Sequence, residues 1–204
     1  MSKGKLIVFE GIDGTGKTSQ LKALAAYLEE QGHVVTATRE PSDGPYGKKI
    51  RALFTQRHTL TLEEELGLFI ADRMDHVQEV ILPALKQGKI VLTDRYYFST
   101  AAYQGAEGGD PESIIEQNSF APTPDLVVLL TITVAESIRR IQEQRQDQLN
   151  DFEREEQLEK VAAIFDSFQR PWIKRVDASG AFHQVQQRIR DVVQPMLASR
   201  VNGE

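Results

Sequence analysis

The sequence predicts an α/β fold: a mostly parallel five-stranded sheet with helices on both faces and a helical lid at one end. Three observations point to it. Short apolar runs alternate with helix-periodic segments along the chain. That alternation requires crossover connections, and so a parallel sheet covered on both sides. The conspicuous polar residues follow the apolar runs: Asp13 after the first, Arg39 and Glu40 after the second, Asp94 and Arg95 after the third. In open α/β sheets, ligands bind beyond this end of the strands.

Taken in order, KLIVFEG is a short apolar run closed by Gly11, which predicts a buried strand. TSQLKALAAYLEEQG places Leu21, Leu24, Ala25 and Leu28 at helical spacing and stops at Gly32. HVVTATREP predicts a second strand. YGKKIRALFT predicts a helix, and TLEEELGLFIADRMDHVQEVILPALKQG a long one ending at Gly88. KIVLTDRY and DLVVLLTI predict the third and fourth strands, with a loop near AEGGDP. The charged stretch from Val134 to Gln169 predicts two helices with a break near Gln148–Asp151. WIKRVDAS is the last strand, and AFHQVQQRIRDVVQPML a closing helix with a kink expected at Pro195. Without repeats or a linker, residues 1–204 are expected to form one domain, with its lid at about residues 139–155.

Composition narrows the function classes. A net charge of -6 argues against general attraction to nucleic acid or anionic membrane. The absence of cysteine excludes disulfides and thiolate metal sites. No signal-peptide pattern opens the chain, and no apolar run reaches membrane-spanning length, so the expected location is cytoplasmic. His33, His58, His76 and His183 lack ligand spacing and are expected to be structural or superficial. Trp172 is expected in the core.

The motif that carries chemistry is GIDGTGKT, formed by Gly11, Ile12, Asp13, Gly14, Thr15, Gly16, Lys17 and Thr18. It lies between a predicted strand and a predicted helix, as a phosphate-binding loop must. Its glycines let backbone N–H groups converge on an anion, and the following helix adds the positive end of its dipole. Lys17 is expected on the β and γ phosphates of ATP, with the Thr18 hydroxyl on Mg²⁺. The fold is therefore the three-layer sandwich of P-loop NTPases. Asp13 is the anomaly, a carboxylate inside an anion-binding loop.

FEGIDGTGKTSQ, TREP, FIADRMDHVQEVILPAL and DRYYFSTAAYQ resemble the matching segments of thymidylate kinases. VDAS is similar to that family's adenine-side loop, which puts Ala178 beside ATP. The likeness is dense up to Gln104 and weak between Ser137 and Gln169. It implies phosphoryl transfer from ATP to dTMP, with Mg²⁺ as cofactor, and a homodimer. Under it, Asp94 holds a Mg²⁺-bound water and Arg95 grips a phosphate with two donors. Read alone, the Asp94–Arg95 pair is equally an ion pair at a strand end. Phe69 and Arg73 are four residues apart and share a helix face. The likeness implies that Phe69 stacks on thymine and Arg73 bonds its O4 edge. By spacing alone, Phe69 would be core and Arg73 would pair with Asp72 or Glu65. Tyr103 is implied near the sugar C2′, Thr100 and Gln104 at the base edge, and Arg51 on the acceptor phosphate, where a solvated helix charge is the alternative. Tyr96 and Tyr97 are expected to support the site by packing, and Arg39 to support the loop.

The likeness also resolves the anomaly. Turned outward, Asp13 accepts a hydrogen bond from the 3′-hydroxyl of the deoxynucleotide, a role compatible with an Asx-turn in the loop. Glu40 is implied to help through Mg²⁺ or water. Some relatives carry a basic residue where this chain has Gly14; here the cation must come from the lid. Arg145 is the catalytic candidate, with Arg140 and Arg139 behind it, and ion pairs within the helix are the alternative. Competing readings are a kinase for another nucleoside monophosphate, a deoxynucleoside kinase with Glu10 as its base, and an inactive nucleotide-binding regulator. A GTP switch lacks an N-K-x-D signature.

Overall fold

The computed structural model describes residues 4–53, 60–145 and 155–198; the side chains of residues 144 and 145 fall outside this set. In chain order the elements are β1 (Lys5–Glu10), α1 (Lys17–Glu30), β2 (Val35–Arg39), α2 (Pro45–Leu53), α3 (Leu62–His76), a π-helical turn (Val77–Ile81) and α4 (Leu82–Lys86). There follow β3 (Ile90–Asp94), α5 (Tyr97–Ala106), α6 (Pro111–Gln117), β4 (Leu126–Thr131), α7 (Val134–Arg145), α8 (Glu155–Ser167), β5 (Ile173–Asp177) and α9 (Phe182–Ala198).

The described strands form one five-stranded sheet in the order β2-β3-β1-β4-β5. Every pairing is parallel. Alternation along each strand sends side chains to opposite faces. Leu6 and Val8 of β1 join Val91, Val127 and Leu129 under α5 and α8. Ile7 and Phe9 join Leu92, Val128 and Leu130 under α1 and α9. Both faces are thus dry, which is why the strands read as unbroken apolar runs. The register sets Phe9 beside Asp94, Asp94 beside Arg39, and Thr131 beside Asp177. The strand ends that carry polar residues therefore form one row.

The predicted strands and the first helix are found. Three departures have local causes. The long helix is interrupted at Val77–Ile81 by a π turn, because Pro83 has no N–H to give the carbonyl one turn back. Its start is a complete capping box, with Thr61 and Glu64 exchanging side-chain-to-backbone bonds. DRYYFSTAAYQ, read only as a site motif, holds all but the last two residues of α5. Residues 97–104 of that helix are all buried, so no amphipathic period announces it. The AEGGDP loop is shorter than its composition suggests: Asp110 caps α6 and Pro111 opens it. α9 runs through Pro195 to Ala198. Trp172 is half-buried at the margin of the core rather than within it. No helix among the described residues is long and apolar enough to cross a membrane.

Leu24 of α1 is fully buried against the sheet. Leu24→Ala should lower unfolding free energy by about 2–5 kcal/mol. Urea denaturation would check this, and a loss below about 1 kcal/mol would show that α1 does not seal this face.

Candidate active site

Gly11, Gly14 and Gly16 all have positive φ, at 135°, 75° and 88°. Two of them also meet backbone that leaves no room for a side chain. A Cβ on Gly11 would lie 2.3 Å from the Leu130 carbonyl oxygen, and one on Gly14 would lie 2.6 Å from that of Ser137. The loop is thus wedged between β4 and the first turn of α7. Ser137 adds a hydroxyl bond to the Asp13 carbonyl at 2.5 Å. Thr15 Oγ1 closes the turn on the Ile12 carbonyl at 2.9 Å. Lys17 Nζ donates to the carbonyls of Gly11 at 3.0 Å and Ile12 at 2.8 Å. Burial, then the nearby Arg95 charge, brings the Lys17 ammonium down to about 8. An anion beside it would raise that value again.

β3 delivers Asp94 and Arg95 to this loop. The Thr18 hydroxyl donates to Asp94 Oδ2. Asp94 Oδ1 is buried without a hydrogen-bond partner. An orphaned carboxylate oxygen beside a hydroxyl is the donor set a hard cation takes, so these residues fit the expected Mg²⁺. Glu40 lies in a different cluster. Among the described residues there is no group of three or more His, Asp or Glu able to hold a metal ion.

Arg95 has φ 71°, the described non-glycine residue in the left-handed region. Such a conformation costs about 1–3 kcal/mol and persists only where surroundings impose it. Its amide donates to the Phe9 carbonyl at 2.9 Å. Its Nη2 meets Asp13 Oδ1 at 2.5 Å, and its Nη1 meets Ser99 Oγ at 3.0 Å. The guanidinium lies 5.0 Å from the Tyr103 ring centroid, and the Tyr103 hydroxyl donates to Asp13 Oδ2 at 3.0 Å. Burial, then the Asp13 carboxylate, raises the Tyr103 phenol, which stays a donor. Asp13 therefore points away from the loop interior toward Arg95 and α5.

On the far side, Arg73 is 1% exposed. It donates to Glu40 Oε2 at 2.8 Å, Asn118 Oδ1 at 2.5 Å and Thr100 Oγ1 at 2.8 Å, and sits 5.6 Å from the Tyr96 ring centroid. His76 Nδ1 meets the other Glu40 oxygen at 3.0 Å, and its Nε2 meets Thr38 Oγ1 at 2.7 Å. A surface pairing of Arg73 with Asp72 or Glu65 is ruled out; Asp72 instead holds the Ser42 amide and hydroxyl. Gln104 is buried and its Oε1 has no partner. Phe69 is half-buried rather than core. Arg51 donates to the Pro41 carbonyl at 2.8 Å and faces Asp43 at 3.4 Å. Arg39 pairs with the same Asp43 at 2.6 Å. Asn118 and the buried role of His76 escaped sequence reading. His76 follows Arg73 by three residues, so their shared helix face was the available signal.

The segment where a lid is expected, residues 139–155, is described only in part. Arg139 pairs with Glu136 and Glu143, and Arg140 with Glu136. The two arginines hold Glu136 at about 2. Arg140 Nη2 also donates to the Ala178 carbonyl at 3.1 Å, tying α7 to the loop after β5. For Arg139 and Arg140 the ion-pair reading is the observed one. The Arg145 side chain and residues 146–154, with the predicted helix break, lie outside the described residues.

Glu10, at the end of β1, is fully buried. Its Oε1 accepts from the amides of Tyr96 at 2.9 Å and Ser99 at 3.1 Å, and its Oε2 from the Ser99 hydroxyl. Burial outweighs those donors and the charges of Arg95 and Lys17, raising the carboxyl from 4.5 to about 7. Between these values the folded chain keeps a proton that the unfolded chain has released. The contribution of Glu10 to stability is therefore full below 4.5 and is lost as pH rises through about 7. Thermal unfolding of wild type and Glu10→Gln should show a wild-type advantage that shrinks from about pH 5 to about pH 8. A constant difference across that range would mean that Glu10 does not titrate there.

The family model for thymidylate kinase matches residues 9–189. The chain is 54% identical over 194 residues to a thymidylate kinase of Desulfotalea psychrophila, covering 95% of this chain and 96% of the relative. It is 45% identical over 190 residues to a thymidylate kinase of Akkermansia muciniphila, covering 92% and 90%. To a probable thymidylate kinase of Pyrococcus horikoshii it is 49% identical over 144 residues, covering 68% and 70%. With a glycine-shaped phosphate loop, Asp94 on Thr18 and Arg95 on Asp13 already in view, the match spans the elements that carry these residues: the chain belongs to the thymidylate kinase family.

Proposed function

We propose that this protein transfers the γ-phosphoryl group of ATP to the 5′-phosphate of dTMP. The observation that carries the reading is the contact between Arg95 and Asp13. It joins a side chain suited to an acceptor phosphate to the one carboxylate of the donor-phosphate loop. A loop built for ATP alone has no use for that carboxylate. A loop that also borders a nucleoside does: Asp13 accepts from the 3′-hydroxyl, beside Tyr103, whose ring crowds C2′.

The acceptor is already an anion, so positioning and charge stabilisation do the catalytic work. Lys17 turns its ammonium from the loop carbonyls to the β and γ phosphates. Arg95 steadies the acceptor phosphate, and Arg51 reaches it from α2. Thr18 through its hydroxyl and Asp94 through a water would hold Mg²⁺, which would supply neutralisation of phosphate charge. Phe69 stacks on the base. Thr100 and Gln104 border its edge, where the orphaned Gln104 Oε1 can accept a base N–H. Arg73 is held in position by Glu40, which we assign to orienting that arginine rather than to the metal. Ala178 borders the adenine, and Arg145 supplies the lid cation at the transition state. The reading includes a homodimer that pairs through α3.

A deoxynucleoside kinase would need a free carboxylate base. Glu10 was the candidate, and three donors occupy both of its oxygens.

ADP release with dTMP, dUMP, dCMP and dGMP in turn tests the substrate: dTMP should give the highest kcat/KM, and a preference for a purine would overturn the assignment. Lys17→Ala and Arg95→Ala should each lower kcat by about 10²-fold or more with the fold intact; near-normal turnover in either would remove that residue from the chemistry. Arg73→Ala should raise KM for dTMP at least about tenfold more than KM for ATP; equal losses would count against a role at the base.

A further inference from the structure

Glu10 has no place in the transfer steps above, yet it is the carboxylate on which two parts of the site converge. α5 carries Ser99, Thr100, Tyr103 and Gln104. Its N-cap, Tyr96, makes no side-chain capping bond. Glu10 supplies the missing acceptor from outside the helix, taking the amides of Tyr96 and Ser99 on one oxygen. Its other oxygen takes the Ser99 hydroxyl proton. Ser99 Oγ, having donated, presents lone pairs, and Arg95 Nη1 donates into them at 3.0 Å. The Arg95 amide is held by the adjacent β1 residue, through the Phe9 carbonyl. Consecutive residues of β1 thus fix both the backbone and one prong of the guanidinium of Arg95. The other prong meets Asp13.

We infer that Glu10 is a positioning residue for phosphoryl transfer: through Ser99 it aims Arg95 at the acceptor phosphate. The inference rests on the proposed role of Arg95. The direction of the hydrogen bonds makes it specific. Above about pH 7, where Glu10 is ionised, its carboxylate only accepts, so the Ser99 hydroxyl donates to it and stays open to Arg95, and the kinetics below are read in that range. A glutamine of the same shape can still cap α5 with its carbonyl, but its NH₂ faces Ser99 as a donor. Ser99 Oγ would then accept from two donors while its own proton lost its acceptor, and its hold on Arg95 would weaken.

The test is steady-state kinetics on the full-length enzyme with ATP, Mg²⁺ and dTMP, comparing wild type, Glu10→Gln, Ser99→Ala, the double variant and Arg95→Ala. Glu10→Gln and Ser99→Ala should each lower kcat about tenfold, the size expected for one charge-assisted hydrogen bond, with KM for ATP within about twofold. The double variant should be no slower than the worse single one, because both break one relay. If Glu10 were only a helix cap, loosening α5 would raise KM for dTMP and leave kcat alone; that result overturns the inference. Wild-type kcat in Glu10→Gln, or losses that multiply in the double variant, also overturns it. If Glu10→Gln does not fold, Ser99→Ala decides, since it leaves both backbone caps in place: lower kcat at unchanged melting temperature supports the relay, and wild-type kcat ends it. Arg95→Ala separates the two failures. Wild-type turnover there would defeat the role of Arg95 itself, whereas a large loss there with none in Glu10→Gln would defeat only the relay.

Discussion

The site depends on holding one arginine in a conformation that arginine disfavours. Arg95 follows a buried strand, adopts positive φ and leaves its guanidinium between Asp13 and Ser99. The parallel register of β1 with β3 makes this possible, because it sets Phe9 against Asp94 and lets the Phe9 carbonyl take the Arg95 amide. A one-residue slip would turn every β3 side chain to the opposite face. It would also separate Asp94 from Thr18. The dry core on both faces of the sheet therefore fixes the register, and the register fixes the chemistry.

Charge is distributed along the same row. Lys17 is buried where an uncompensated ammonium is costly, and it is steadied by loop carbonyls that it can exchange for phosphate. Asp13 does not repel a nucleotide inside the loop, because it points outward and is covered by Arg95 and Tyr103. Glu40 is likewise neutralised by Arg73 and held by His76. Asp13 and Glu40 thus each have a donor that also carries a proposed substrate role. Most polar groups in this pocket are paired yet able to exchange partners, while Asp94 Oδ1 and Gln104 Oε1 are left open. That suits a site that must bring two anions together.

Much of this was legible in the sequence, for identifiable reasons. Strands buried on both faces leave unbroken apolar runs, and GIDGTGKT demands a strand before it and a helix after it. Asp94 and Arg95 were legible because they end such a run. α5 was not, because a helix buried all round has no period to read. The π turn was not, because Pro83 lies within a pattern that otherwise continues. The cluster around Glu40 was not, since sequence cannot show that Arg73 and His76, more than thirty residues away, close on it. Glu10 left one faint mark, a charged residue ending an apolar strand. Ser137 left none, since its contact with the phosphate loop spans 124 positions of chain.

The central claim is that Asp13 serves the acceptor nucleoside and not ATP. Calorimetric titration of wild type and Asp13→Ala with dTMP and with its 3′-deoxy analogue tests this most directly. Wild type should bind dTMP about tenfold or more tightly than the analogue, and Asp13→Ala should bind the two alike while keeping its affinity for ATP. Retained discrimination together with weakened ATP binding would contradict the claim, returning Asp13 to the phosphate loop as a purely local stabiliser.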